Sequence, residues 1–441
     1  MKNLALAVSV LSAFGAFALP TVTVTGIDES DARMVTITYD LKDGDAVVTA
    51  DILTNGVSVG RANLAYLAGA VNRKIAAGTG KKIYWAADKG WPGFRFGADS
   101  GIAVSARLTA WADDNPPDWM AIDLRATNRQ EIVFYETREE VPFGIGNRLY
   151  KTDKLLLRRV RARGVEWIMG APSDEIGRGA TTASKYEEPH RVTLTNDYYL
   201  AIYETTQKQL LRVYGERKSA YVDADDSDIR PVDGVCCTDI RGGQSTDGCK
   251  WPDKGHNVQG DRILGKFRER TGVELDLPTS AQWEFACRAG SATGHYNGKN
   301  PTNGWTSDSN LEALAWYKNN SGGETHPVGT KEPNVWDFYD MYGNVSEYVL
   351  DSYYADDTHY SAAEPEIEPV GAKLAESAAG AAGTYNRQRF YRGGGKASDP
   401  YLCRSGALGT LDCWYWDSGR AGGWGFRMAA PAVVPATLKG E

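Results

Sequence analysis

Over residues 21–124 apolar and polar positions alternate in short runs, at 21–25, 33–39, 46–53, 82–86 and 102–108, separated by turn-forming clusters such as Lys42-Asp43-Gly44-Asp45 and Thr54-Asn55-Gly56. A period of two sends successive side chains to opposite faces, so each run predicts a strand with one buried and one wet side. Two such sheets facing each other make a β-sandwich of immunoglobulin or fibronectin type, expected over residues 20–125. A sandwich needs no catalytic residues, and this stretch shows no ligand constellation. A spacer or docking role is expected for it, followed by a connector over 126–154.

From 155 to 432 the pattern changes. Glycines and tryptophans are frequent, and long segments follow neither a helical nor a strand period. Only 206–214 and 280–289 carry helical spacing, the second with Thr279 placed to cap its N-terminus. The expectation is an α+β domain with little regular secondary structure, whose loops are held by buried aromatics, disulfides or bound ions.

The first residues change the picture of location. Lys2 precedes an apolar run from Leu4 to Phe17, and Ala16 and Ala18 stand in the small-x-small pattern of a cleavage site, so 1–18 reads as a signal peptide. The run is shorter than the ~20 residues a bilayer crossing needs, and no later stretch predicts a membrane span. A secreted, periplasmic or envelope location follows. At 441 residues the chain exceeds a single core. Its formal charge of −8 is dispersed, and the absence of a basic stripe argues against nucleic acid as a partner. Six cysteines in an exported chain favour disulfides, with the adjacent Cys236 and Cys237 bonding to different partners.

Four segments follow one another in the C-terminal region. The first joins Trp167-Ile168-Met169-Gly170, Glu187-Glu188-Pro189-His190 and Tyr203-Glu204-Thr205-Thr206. The second is Leu277-Pro278-Thr279-Ser280-Ala281-Gln282-Trp283-Glu284-Phe285-Ala286-Cys287-Arg288. The third runs from His326-Pro327-Val328-Gly329 to Asp340-Met341-Tyr342-Gly343-Asn344-Val345-Ser346-Glu347-Tyr348. The last holds Arg392-Gly393-Gly394-Gly395, Cys403-Arg404-Ser405 and Gly425-Phe426-Arg427. In this order they resemble the sulfatase-modifying factor family, whose founding activity is that of the formylglycine-generating enzyme. The resemblance covers 155–430 and implies a fold related to C-type lectins, stabilised by calcium.

Two carboxylates bracketing a glycine turn at 340–347 supply the hard oxygen donors that calcium prefers. The resemblance makes the ligands Asp340 and Glu347 with the carbonyls of Gly343 and Val345. A second calcium site would begin at Asn310 and the carbonyl of Leu311. The family's oxidase also holds copper between two thiolates, and soft sulfur suits Cu(I). Here the matching positions are Ser398 and Cys403, so one thiolate is replaced by a hydroxyl. A serine that follows Arg-Gly-Gly in the family, and a tryptophan before the calcium-binding glutamate, are here Gly395 and Ser346. Copper is therefore not expected, and Cys403 is expected to pair with Cys413 or Cys287.

Other chemistry finds no support in the motifs. The five histidines are scattered, and no Gly-x-Ser-x-Gly elbow is present. Glu187 and Glu188 read as acceptors that fix loops, and His326 as a structural histidine. The aromatic stretch 412–424, with Trp414, Tyr415, Trp416 and Trp424, is either a contact surface or core filler. The expected role is a binding or accessory module for a protein, peptide or glycan outside the cytoplasm. The alternative is an active formylglycine-generating oxidoreductase acting on Cys-x-Pro-x-Arg with a modified metal site.

Overall fold

The computed structural model describes residues 19–31, 33–93, 101–125, 131–181, 183–242, 258–352, 366–367, 388–412, 422–436 and 438. Residues 1–18, expected to be a signal peptide, Cys249, Cys413 and most of the aromatic stretch lie outside these residues.

The N-terminal unit is two antiparallel sheets over one core. One orders Thr21–Asp31, Met34–Lys42, Gly78–Ala86 and Leu67–Gly69. The other surrounds Ala46–Thr54, which pairs with Val57–Ser58, Lys74–Ile75 and Val104–Trp111. Val35, Ile37 and Tyr39 from the first sheet meet Ala46, Val48, Ala50 and Ile52 from the second, with Trp85 between them.

The strand Ala46–Thr54 is buried at almost every position, unlike its neighbours. Its even-numbered residues face the sandwich core, whereas Val47 belongs to the core of the C-terminal unit. A strand covered on both faces loses the alternation of a half-wet one. The second cover is the C-terminal unit itself. Thr49 Oγ1 bonds Glu136, Phe134 N donates to Asn72 O at 2.7 Å, and Arg61 lies between Glu136 (3.1 Å) and Glu140 (2.8 Å). Burial at this joint pushes the Glu140 carboxyl up to about 7.

The C-terminal unit begins earlier than the sequence pattern implies. Its five-stranded sheet orders Ile132–Tyr135, Trp119–Asp123, Lys154–Val160, Tyr198–Ala201 and Ala429–Pro431. Trp119–Asp123 therefore belongs here and not to the sandwich, and the expected connector supplies an edge strand. The reason is cross-strand pairing with Lys154–Val160, which local periodicity does not reveal. Two further sheets belong to this unit; one pairs Val165–Met169 with His190–Leu194, and the other orders Gly409–Asp412, Gln388–Arg392, Ser346–Ser352 and Trp424–Gly425.

Helices are few. Gln207–Tyr214 and Ser280–Arg288 form where helical spacing predicts them, each with a complete capping box, Thr206 with Gln209 and Thr279 with Gln282. Ile263–Thr271 is a further helix. Its Gly265 breaks the pattern because the backbone of Gln259 crosses so close that a Cβ would lie 2.1 Å from the Gln259 carbonyl oxygen. Among the described residues, no helix is long and apolar enough to cross a membrane.

Candidate ligand and metal site

Three arginines of the recurring segments are fully buried, and each meets carboxylates from another segment. Arg392 places Nη2 2.9 Å from Glu284 Oε2 and donates through Nε to Ser280 Oγ at 2.8 Å. Arg404 bonds Glu187 at 2.9 Å and also pairs with Glu175. Arg427 grips Glu347 with Nη2 to Oε1 at 2.6 Å and Nε to Oε2 at 2.7 Å. Planar guanidinium groups match carboxylates in this paired geometry, and burial removes the competing water. In this chain the segments interlock through these pairs. Glu187 acts as the loop-fixing acceptor expected of it, also taking the Leu408 N–H, while Glu188 reaches Arg178 at the surface. His326 sits stacked on Trp316, with Nε2 2.8 Å from Ser321 O.

The turn 340–347 is built by left-handed backbone at Asp340 (φ 53°), Gly343 (φ 75°) and Asn344 (φ 58°). Gly343 is required, since a Cβ there would stand 2.3 Å from Trp316 O. Three buried acids surround this turn. Asp340 Oδ2 accepts the Gly329 N–H at 2.6 Å, and Glu204 accepts from Asn344 Nδ2 at 2.6 Å and Val345 N at 3.1 Å. Glu347 Oε2 additionally accepts from Trp283 Nε1 at 2.7 Å. Burial pushes Asp340 up to about 6, and burial with the neighbouring charges of Asp340 and Glu347 pushes Glu204 well above the carboxylate range.

This donor set does not fit calcium as placed. Asp340 keeps one oxygen without a hydrogen-bond partner, but both Glu347 oxygens are committed to Arg427 and Trp283. The guanidinium already supplies the positive charge, and it also reaches the carbonyls of Tyr339 (2.9 Å) and Asp340 (3.3 Å). At the second location, Leu311 O accepts from Leu314 N and Ala315 N, and Asn310 Nδ2 donates to Asn300 O. Asp308 organises that loop, accepting from Thr302 Oγ1 at 2.7 Å and Asn310 N at 2.9 Å, with His295 Nε2 at 3.4 Å. Those contacts outweigh its burial and hold its carboxyl down at about 2. Among the described residues, no group of three or more His, Cys, Asp or Glu side chains is arranged to hold a metal.

Of the four positions named from the resemblance, Gly395 lies against both Ser398 and Ser346, and Cys403 packs against the neighbouring Gly394. Ser398 Oγ accepts the Gly395 N–H at 2.9 Å, and Ser398 N donates back to Gly395 O at 2.8 Å. A Cβ on Gly395 would lie 3.0 Å from both Ser346 N and Gly423 O, so a larger residue would press on these atoms. Cys403 is fully buried, packed so that a Cβ on Gly394 would fall 2.9 Å from its sulfur. Burial pushes this thiol up to about 12, against the pull of a bond from the Gly343 backbone. Cys287 is likewise pushed up to about 12 by burial, and its sulfur lies 3.7 Å from Ser405 Oγ. The expected Cys287–Cys403 disulfide is therefore corrected: both remain thiols, because one packs against the Gly394 turn and the other faces Ser405. A Cys403–Cys413 bond falls outside the described residues.

Three buried groups escaped the sequence reading: Glu204, Asp233 and Lys396. Glu204 had a local signal, an acid directly after the apolar run 198–203. Lys396 and Asp233 had none, since only the fold brings Lys396 Nζ to 3.9 Å from Asp233 Oδ2.

A β-rich scaffold locked by buried arginine–carboxylate pairs, with its loops gathered around one glycine-rich segment, is the class of domain these features define. The model of the Sulfatase-modifying factor enzyme 1-like domain matches residues 168–432, and the chain belongs to that family. Chaperone protein LppX of Paenibacillus barcinonensis is 27% identical over 204 residues, 40% of this chain and 68% of that protein. Among solved structures, Treponema denticola variable protein 1 matches with a TM-score of 0.46 and 21% identity, covering 63% of this chain and 95% of its own. PvdO from Pseudomonas aeruginosa matches with a TM-score of 0.39 and 22% identity, covering 63% and 94%.

Proposed function

We propose that this chain is an exported accessory or binding protein, in which a sulfatase-modifying-factor scaffold serves recognition and not copper-dependent oxidation. The observation that carries the reading is the state of the two positions where copper would be gripped. Ser398 spends its hydroxyl oxygen on the Gly395 N–H, and Cys403 is a buried neutral thiol. A protonated thiol beside a hydroxyl is a poor host for a soft cation. The sandwich, read as immunoglobulin- or fibronectin-like, would hold this domain away from its point of attachment or dock it onto a partner. One similar protein is named a chaperone protein, which agrees with this reading.

The test is a Cu(I) titration of the purified chain together with oxygen uptake on a Cys-x-Pro-x-Arg peptide. Absence of stoichiometric copper and an unchanged peptide are expected. Retention of one copper per chain with conversion of the peptide cysteine to formylglycine would establish the oxidase instead. A calcium inventory of the same preparation tests the scaffold metal, with none expected at Asp340 and Glu347.

A further inference from the structure

The described strands place residues 21–111 in the sandwich and 119 onward in the C-terminal unit, so the chain passes between the two units once. Contacts across the joint, and not repeated crossings of the chain, must hold them together. Some are apolar, with Val47 and Trp111 of the sandwich packed into the C-terminal core. The polar ones converge on two carboxylates. Arg61 Nη1 lies 2.8 Å from Glu140 Oε1 and 3.1 Å from Glu136 Oε2, so one guanidinium nitrogen serves both acids. Glu136 also accepts from Thr49 Oγ1, which in turn takes the Trp111 indole N–H at 2.8 Å.

Glu140 is the acid most removed from water. Its side chain is 3% exposed, against 17% for Glu136 and 31% for Arg61. Its Oε2 accepts the Glu136 N–H at 3.1 Å. Asp51, buried on the strand Ala46–Thr54, adds a third negative charge acting on Arg61. The phenol of Tyr135 also feels Glu140, together with Tyr150 and Arg73. On the turn that carries Glu140, Arg138 is committed to Asp337 and Glu139 is half exposed. Three acids gathered around Arg61 make full ionisation of the docked joint unfavourable. Burial first, then the charge of Glu136, raises the Glu140 carboxyl from 4.5 to about 7 against the pull of Arg61. Separating the units admits water to Glu140 and restores its ordinary value.

We propose that the joint is a proton-controlled latch: Glu140, covered by Arg61 of the sandwich, docks the two units while it carries a proton and loosens them when it loses it. The docked state holds the extra proton between pH 4.5 and 7, so docking weakens as pH rises through that window and levels off above it. Opening should become about thirtyfold more favourable between pH 5.5 and 8.5. The experiment is amide hydrogen exchange of the full chain, followed by mass spectrometry at these two pH values and corrected for the intrinsic pH dependence of exchange. The reporters are Phe134 N–H, which donates to Asn72 O across the joint, and Glu136 N–H. Met34–Lys42 and Tyr198–Ala201, inside the two units, are the controls. The wild type is expected to lose about thirtyfold protection at the reporters and far less in the controls. Glu140→Gln, neutral at every pH and still an acceptor for Arg61, is expected to keep its protection at both pH values, with a thermal melt to confirm folding. The latch is wrong if the wild type protects its reporters equally at both pH values, if the controls lose as much as the reporters, or if folded Glu140→Gln loses protection as the wild type does. A wild-type series at pH 7, 8 and 9 tests the same point without the variant: protection should level off above pH 8, and a continued loss of about tenfold per pH unit would assign the effect to another group.

Discussion

Replacing Arg427 by methionine tests whether the buried arginine–carboxylate pairs hold this domain together. The substitution keeps bulk in the core but leaves Glu347 without either guanidinium bond, now at 2.6 and 2.7 Å. It also strips the nearest strong cation from Asp340 and Glu204, both of which Arg427 draws toward ionisation. Breaking a buried pair by removing one partner costs about 3–5 kcal/mol, because an uncompensated charge stays behind. At ~2–4 °C per kcal/mol, the melting temperature should fall by about 10 °C. The pH dependence carries the mechanism. Asp340 has a folded pKa of about 6, raised from 3.8, so the folded state binds more protons between those values and stability falls as pH rises through that window. Removing Arg427 raises these carboxyls further and extends that loss toward higher pH. Thermal melts at pH 5 and pH 8 should therefore show a larger deficit at pH 8, and Arg427→Met combined with Glu347→Gln should recover part of it. A variant that melts within experimental error of wild type at pH 8, or whose deficit is larger at pH 5, would refute the reasoning.

Two further outcomes follow from the same kind of accounting. Asp308 is depressed from 3.8 to about 2, so it stabilises the fold above pH 4 by about 2 kcal/mol, and that contribution is lost as pH falls through 2; Asp308→Ala should lower the melting temperature at pH 7 and converge with wild type in strong acid. Cys287 and Cys403, both pushed up to about 12, should resist alkylation in the folded protein at pH 8 and react fully in denaturant, as mapped by peptide mass spectrometry; rapid native labelling of Cys403 would contradict its burial.

How much of the molecule could be read in advance depended on whether the physics was local. The cap at Thr279 was legible because it bonds only three residues ahead, to Gln282, whereas Thr206, read as the first helical residue, proves to be the cap of its helix. The sandwich strands were legible from alternation wherever one face met water; Ala46–Thr54 was expected to have one wet side, but the second unit covers that face. The helix Ile263–Thr271 went unrecognised because Gly265 answers to a crossing backbone and not to helix propensity.

The site divides along the same line. Sequence alone determined the family segments, a serine at 398 with a cysteine at 403, and the glycine turn at 340–347, since each is a matter of residue identity at a fixed spacing. Tertiary structure decided what the acids do. The family resemblance makes Glu347 a calcium ligand, but Arg427, eighty positions along the chain, supplies a compensating charge. It also decided that Lys396 Nζ lies 3.9 Å from Asp233 Oδ2. Charges buried in a fold must find partners wherever the chain brings them, and no local pattern records which partner that will be.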